Sequence, residues 1–113
     1  MEGLSTETIY WIILAVPTIL IASTVHEYAH GWVAYKLGDP TAKAAGRLTL
    51  NPLKHIDPIG ALCMVLFRFG WSKPVPINEY NFERREVDTA LTALAGPVSN
   101  ILLTLLAALI NII

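Results

Sequence analysis

Two stretches of the chain carry no charged side chain: Thr8 to Val25 and Thr89 to Ile113 contain no Asp, Glu, Lys or Arg. Each reaches the roughly 18 to 20 residues that a helix needs to cross a bilayer. The first pattern continues past Val25, so the sequence predicts a helix over 7–37, with Ser5 as candidate N-cap and Gly38-Asp39-Pro40 as its stop. Pro17 within it predicts a kink rather than an end, which a membrane helix tolerates when neighbouring groups satisfy the freed carbonyl. The second run predicts a transmembrane helix over 87–113. Between the two, 38–57 is polar and turn-rich, punctuated by Asp39-Pro40, Gly46, Asn51-Pro52 and Asp57-Pro58, with Arg47-Leu48-Thr49-Leu50 as a candidate short strand. A shorter apolar segment, 58–72, is interrupted by Arg68 and Gly70; it is short for an upright span and leaves a re-entrant hairpin and a tilted helix open. Over 73–78, Lys73-Pro74-Val75-Pro76-Ile77-Asn78 reads as an extended edge strand or polyproline-like piece, because two prolines remove ladder donors and forbid helix. The expected fold class is an all-α membrane protein of one domain, its transmembrane helices separated by a short re-entrant or β-strand segment.

Composition agrees with that reading: 54% hydrophobic residues and only 15% charged ones are wrong for an ordinary soluble domain. A net charge of −1 gives no basic surplus for nucleic-acid phosphates, which excludes that partner. The lone Cys63 cannot form an intramolecular disulfide framework and reads as a small buried hydrophobe. The first apolar run does not read as a cleaved secretory signal, because Met1 to Glu7 is acidic rather than basic. All eight Lys and Arg fall between Lys36 and Arg85. By the positive-inside tendency this places the central loop in the cytoplasm and the N-terminus outside, in a multi-pass protein of the cell membrane. A full crossing by 58–72 would strand Lys73, Arg84 and Arg85 opposite Lys36, Lys43, Arg47 and Lys54, so charge favours re-entry.

The chemistry sits near the end of the first helix, where His26-Glu27-Tyr28-Ala29-His30 reads H-E-x-x-H. Positions i and i+4 share a helix face, so two imidazoles can serve one zinc ion, while Glu27 lies beside that face and is the candidate general base. Two histidines and a glutamate could also simply mark the interfacial end of a span. Against that stands cost: an ionisable group within a span is penalised by about 2.5 to 3.5 kcal/mol even on lenient insertion scales, and a metal site offers compensation.

Four ordered motifs extend the pattern: His26-Glu27-Tyr28-Ala29-His30-Gly31, Gly46 to Gly60 with its Asn51-Pro52 and Asp57-Pro58, Lys73-Pro74-Val75-Pro76-Ile77-Asn78, and Ala95-Gly96-Pro97-Val98-Ser99-Asn100. With these the sequence resembles the site-2 protease family of intramembrane zinc metalloproteases, peptidase family M50. The resemblance implies a Zn2+ cofactor held by His26 and His30, Glu27 as catalytic acid/base, and single-span membrane proteins within the lipid bilayer as substrates. It implies a substrate-binding role for the edge at Val75 and Ile77, where an unwound segment adds as a strand. For Asn100 it implies a contact to the substrate backbone or oxyanion, the alternative being interhelical packing beside Gly96 and Ser99. His55 and Asp57 read first as turn and capping residues.

The family's third zinc ligand, an aspartate of a Leu-Asp-Gly motif on a later membrane helix, has no counterpart before Ile113. Truncation ahead of that ligand is the first expectation. The others are a ligand from another chain, substitution by Asp57, Asp88 or His55, and loss of catalysis. The expected function is therefore an intramembrane zinc metalloendopeptidase, the alternative being an incomplete relative that binds membrane helices without cutting. A metal transporter is disfavoured, because Glu beside His at this spacing is a hydrolytic pattern.

Overall fold

The computed structural model describes residues 5–112; Met1 to Leu4, and Ile113 at the end of the expected second span, lie outside the described residues. Four α-helices follow one another: α1 (Thr6–Lys36), α2 (Thr41–Ala44), α3 (Pro58–Phe67) and α4 (Arg85–Ile112), with 3-10 turns at Pro52–Lys54 and Glu79–Asn81. Both α1 and α4 are long and apolar enough to cross a membrane. At 1.5 Å per residue α1 is about 46 Å long, well beyond the roughly 30 Å of hydrocarbon in a bilayer.

Local chemistry sets the helix ends. Ser5, in extended conformation, accepts from Thr8 N–H at 3.1 Å, and Glu7 places a negative charge on the first turn. The last turn closes with Asp39 N–H on the Ala34 carbonyl at 2.8 Å, and the next bend needs Gly38 at φ 110°, a conformation side chains resist. At the start of α4, Asp88 accepts from Arg84 N–H at 3.2 Å and pairs with its guanidinium at 3.1 Å.

The segment after α2 doubles back on itself. Asp57 caps α3 by accepting from Ile59 and Gly60 N–H, and α3 ends at Arg68, whose backbone is left-handed at φ 62°. The chain then returns through Gly70 to an antiparallel bridge between Ile56 and Ser72, while Lys73 N–H donates to the His55 carbonyl at 2.8 Å. Gly60 and Gly70 make the return contact: a Cβ on Gly60 would overlap the Trp71 carbonyl, and one on Gly70 the Gly60 carbonyl. At the tip, the Arg68 guanidinium lies 5.4 Å from the Trp11 ring on the first turns of α1.

Among the described residues the chain forms no strand, which corrects two expectations. Arg47 to Leu50 is irregular, its conformation fixed by Arg47 N–H on the Ala42 carbonyl and by the Thr49 carbonyl accepting from His55 Nε2. Residues 73–78 are extended but pair with no neighbouring strand. Pro74 and Pro76 carry no N–H, and beyond Lys73, which donates to the His55 carbonyl, Val75 N–H goes to the Glu27 side chain and Asn78 N–H to that of Asp39.

The interior is small and largely polar. Ala34, Ala42, Val75 and Phe82 are its buried apolar residues, whereas Thr24, Glu27, Asp39, His55, Asp88 and Thr92 are buried polar ones. Large apolar side chains such as Ile13, Leu14, Ile21, Leu91, Leu102, Leu105 and Leu109 face outward from α1 and α4. That distribution inverts a water-soluble domain and suits an apolar surrounding.

Candidate metal centre

α1 packs against α4 along the face that carries His26 and His30. The two Nε2 atoms approach to 2.9 Å, with the rings edge to face at 80°. Tetrahedral zinc with bonds near 2.0 to 2.1 Å separates its nitrogen ligands by about 3.3 Å, so the rings would have to part by only about 0.4 Å to share one ion. Opposite them α4 places Gly96. A Cβ there would lie 2.5 Å from His30 Nε2 and 2.6 Å from His26 Nε2, so the missing side chain leaves room beside both nitrogens. Pro97 follows inside the helix and leaves the Ala93 carbonyl without its usual donor.

The other nitrogen of each ring is also engaged. His30 Nδ1 lies 2.7 Å from the Thr92 carbonyl, and His26 Nδ1 lies 3.1 Å from Asn100 Nδ2. Asn100 Oδ1 is buried with no partner among the described residues. Paired nitrogens, a cradle a Cβ would fill and an orphaned acceptor beside the His26 ring together fit a metal ion.

Glu27 is buried next to the pair, and its Oε2 accepts from Val75 N–H at 3.1 Å. This bond brings the extended segment against the H-E-x-x-H motif. Val75 is buried, whereas Ile77, two residues on, is exposed. Arg47 fastens the same segment from the other side, donating to the Lys73 carbonyl at 2.9 Å. Asp39, fully buried, fixes its far end by accepting from Asn78 N–H at 2.7 Å and Asn81 Nδ2 at 2.8 Å, and it also accepts from Thr41 Oγ1. Burial alone would raise the Asp39 carboxyl, but the hydrogen bonds from Thr41, Asn81 and Asn78 outweigh it and hold the group below the usual carboxylate range. In the sequence Asp39-Pro40 reads as punctuation and Arg47 as the first residue of a candidate short strand; neither carries a local sign of its partner some 26 to 42 residues away.

The alternative third ligands are not brought to the histidines. His55 directs Nε2 to the Thr49 carbonyl at 2.8 Å and Nδ1 toward Arg47; Asp57 caps α3, where the Gly60 N–H above all keeps its carboxyl low; Asp88 is tied to Arg84. Among the described residues no three His, Cys, Asp or Glu side chains converge on one point. Beside the centre lie two spaces. A cleft of about 410 Å3 is bounded by His26, Glu27 and Asn100, and an apolar cavity of about 170 Å3 lies between α1 and the α3 hairpin; Ile19, Ser23, Trp71 and Ser72 line both.

The chain is 49% identical over 86 residues to YwhC of Bacillus subtilis, a proposed zinc metalloprotease, an alignment covering 76% of this chain and 39% of that protein. It is 30% identical over 100 residues to Rip2 of Mycolicibacterium smegmatis, also a proposed zinc metalloprotease, covering 83% of this chain and 38% of that protein. The chain is homologous to these two proposed zinc metalloproteases of the site-2 protease family. It spans less than two fifths of the length of these relatives. No family model matches the chain, and no solved structure matches it significantly. In this site-2 protease homologue the H-E-x-x-H motif is the part around which Gly96 and Asn100 of α4 and Val75 of the extended segment are gathered.

Proposed function

We propose that the protein of which these 113 residues form part is an intramembrane zinc metalloendopeptidase, cutting single-span membrane proteins within or near their transmembrane segment. The observation that carries the reading is the convergence of His26 Nε2 and His30 Nε2 on the space left by Gly96, with the buried Glu27 carboxylate alongside. Bound there, zinc supplies a Lewis acid that polarises a peptide carbonyl and makes water acidic near neutral pH. His26 and His30 would hold the ion, their Nε2 atoms being the ones that face each other. Glu27 is oriented by the Val75 N–H on Oε2, which leaves Oε1 to take a proton from water and return it to the leaving amine. A third protein ligand is expected from sequence outside this chain, consistent with its covering about 38 to 39% of its relatives.

The extended segment 73–78 is the proposed docking edge, since a substrate helix hides its carbonyls until it unwinds. Because Val75 N–H is held by Glu27, the edge would engage substrate through Ile77 and the free carbonyls. The neighbouring apolar cavity has the size and lining for one substrate side chain. Both long apolar helices would lie in the bilayer, with the α3 hairpin entering and leaving from one face. A second reading, an incomplete relative that binds membrane helices without cutting, is favoured by the absence of a third converging ligand among the described residues.

The test is proteolysis of a single-span membrane substrate by the purified full-length protein and its Glu27→Gln variant in detergent. We expect the variant to keep zinc and lose cleavage by about 100-fold or more, as removal of a general base requires. Equal cleavage by both would refute the assignment of Glu27; no cleavage by the zinc-loaded full-length protein would favour the second reading.

A further inference from the structure

The hydrogen bonds around the two histidines form a single directed chain. Asn100 Nδ2 can only donate, so His26 Nδ1, 3.1 Å away, presents a lone pair and the neutral ring carries its proton on Nε2. That Nε2–H then donates across 2.9 Å to His30 Nε2. His30 accordingly carries its proton on Nδ1, which is what the Thr92 carbonyl at 2.7 Å requires. Every proton in the sequence Asn100 to His26 to His30 to Thr92 has one donor and one acceptor, and the atom left over is the buried Asn100 Oδ1.

The two rings therefore stand differently toward a metal. A ligating imidazole must offer a lone pair at the metal and a proton at its other nitrogen, usually to an oxygen acceptor. His30 already does so, its Nδ1–H fixed on the Thr92 carbonyl. His26 does not: its proton points into the site, and a donor faces its other nitrogen. Moving the proton to Nδ1 would set N–H against N–H unless the amide turns over. Turning it brings the unpartnered Oδ1 opposite His26 Nδ1.

Resting on the zinc reading above, we propose that Asn100 is the positioning residue of His26: its amide turns over on metal binding, so that Oδ1 accepts from His26 Nδ1–H and fixes the tautomer that leaves Nε2 free to ligate. His30 is preset by a main-chain carbonyl, while His26 is switched by a side chain. Asn100→Asp offers only acceptors, so it holds His26 in the ligating tautomer from the start. Asn100→Leu fills similar space and offers none.

The experiment measures zinc affinity of the full-length protein in detergent by competition with a chromogenic chelator, for the wild type, Asn100→Asp, Asn100→Leu and His26→Ala. Nitrogen NMR of the 15N-histidine-labelled wild type, with and without zinc, reads the tautomers directly. We expect Asn100→Asp to bind zinc at least as tightly as the wild type and Asn100→Leu to bind it about 10- to 100-fold more weakly, the usual cost of losing an outer-shell partner. His26 should carry its proton on Nε2 without zinc and on Nδ1 with it, while His30 stays protonated on Nδ1 throughout. Leu and wild-type proteins of equal affinity would overturn the proposal, as would Asp and Leu variants equally weakened, which would mark Asn100 as packing alone. A wild type that binds no zinc, or binds it equally well without His26, would instead sink the metal-site reading on which the proposal stands.

Discussion

Substituting Gly96 by alanine tests the metal cradle at its narrowest point. The added Cβ would lie 2.5 Å from His26 Cε1 and His30 Nε2 and 2.6 Å from His26 Nε2. Ordinary contact begins at about 3.5 Å, so both rings must retreat by about 1 Å. They can do so, since they are side-chain ends, and alanine is also the better helix former by about 1 kcal/mol, against an overpacking cost of about 1 to 3 kcal/mol. The zinc-free fold should therefore survive with little net loss. Zinc binding should not, because ligand positions are tolerated only within about 0.2 Å. We expect Gly96→Ala to weaken zinc binding in the full-length protein by at least about 100-fold, or about 2.8 kcal/mol, with the zinc-free melting temperature lowered by only a few degrees. Chelator competition and thermal unfolding in detergent, run side by side, give both numbers. A variant that binds zinc within threefold of the wild type would refute the claim that the ion sits between Gly96 and the histidine pair.

Asp39 predicts a pH signature: its carboxyl is held below its ordinary value of 3.8, so its contribution to stability is fully present above that value and disappears as pH falls through the lower folded one. Asn78, Thr41 and Asn81 lose their acceptor in Asp39→Ala, which should melt below the wild type at pH 7, the gap narrowing as pH falls below 3.8; a gap that stays constant would show that the charge is not involved. For topology, a single cysteine at position 84, in a background lacking Cys63, should label only from the cytoplasmic side. Labelling from outside would contradict a hairpin that enters and leaves by one face.

How much of this was legible in the sequence depends on the range of the interaction. Helix signals are local: charge-free runs, the Ser5 cap and Gly38 with Pro40 belong to their own segments, and so does the i, i+4 spacing that puts His26 and His30 on one face. The strand expectation at 73–78 failed because a strand is defined by a partner. Extended residues read correctly as extended, in line with the polyproline-like alternative, but past Lys73 the donors of Val75 and Asn78 go to the side chains of Glu27 and Asp39 rather than to the backbone of a partner strand. Gly96 and Asn100 were visible as a motif, yet only packing of α4 on α1 reveals that one opens the space before the nitrogens and the other faces the His26 ring. The Thr92 carbonyl on His30 has no side-chain signature at all, since any residue would supply it.

The measurement that tests the central claim most directly is zinc content per chain of the purified full-length protein, for the wild type and for His26→Ala/His30→Ala, by elemental analysis after removal of free metal. The account predicts about one zinc per wild-type chain and none in the double variant, because the two Nε2 atoms are the ligands this chain supplies. A double variant that retained its zinc, while remaining folded, would contradict it.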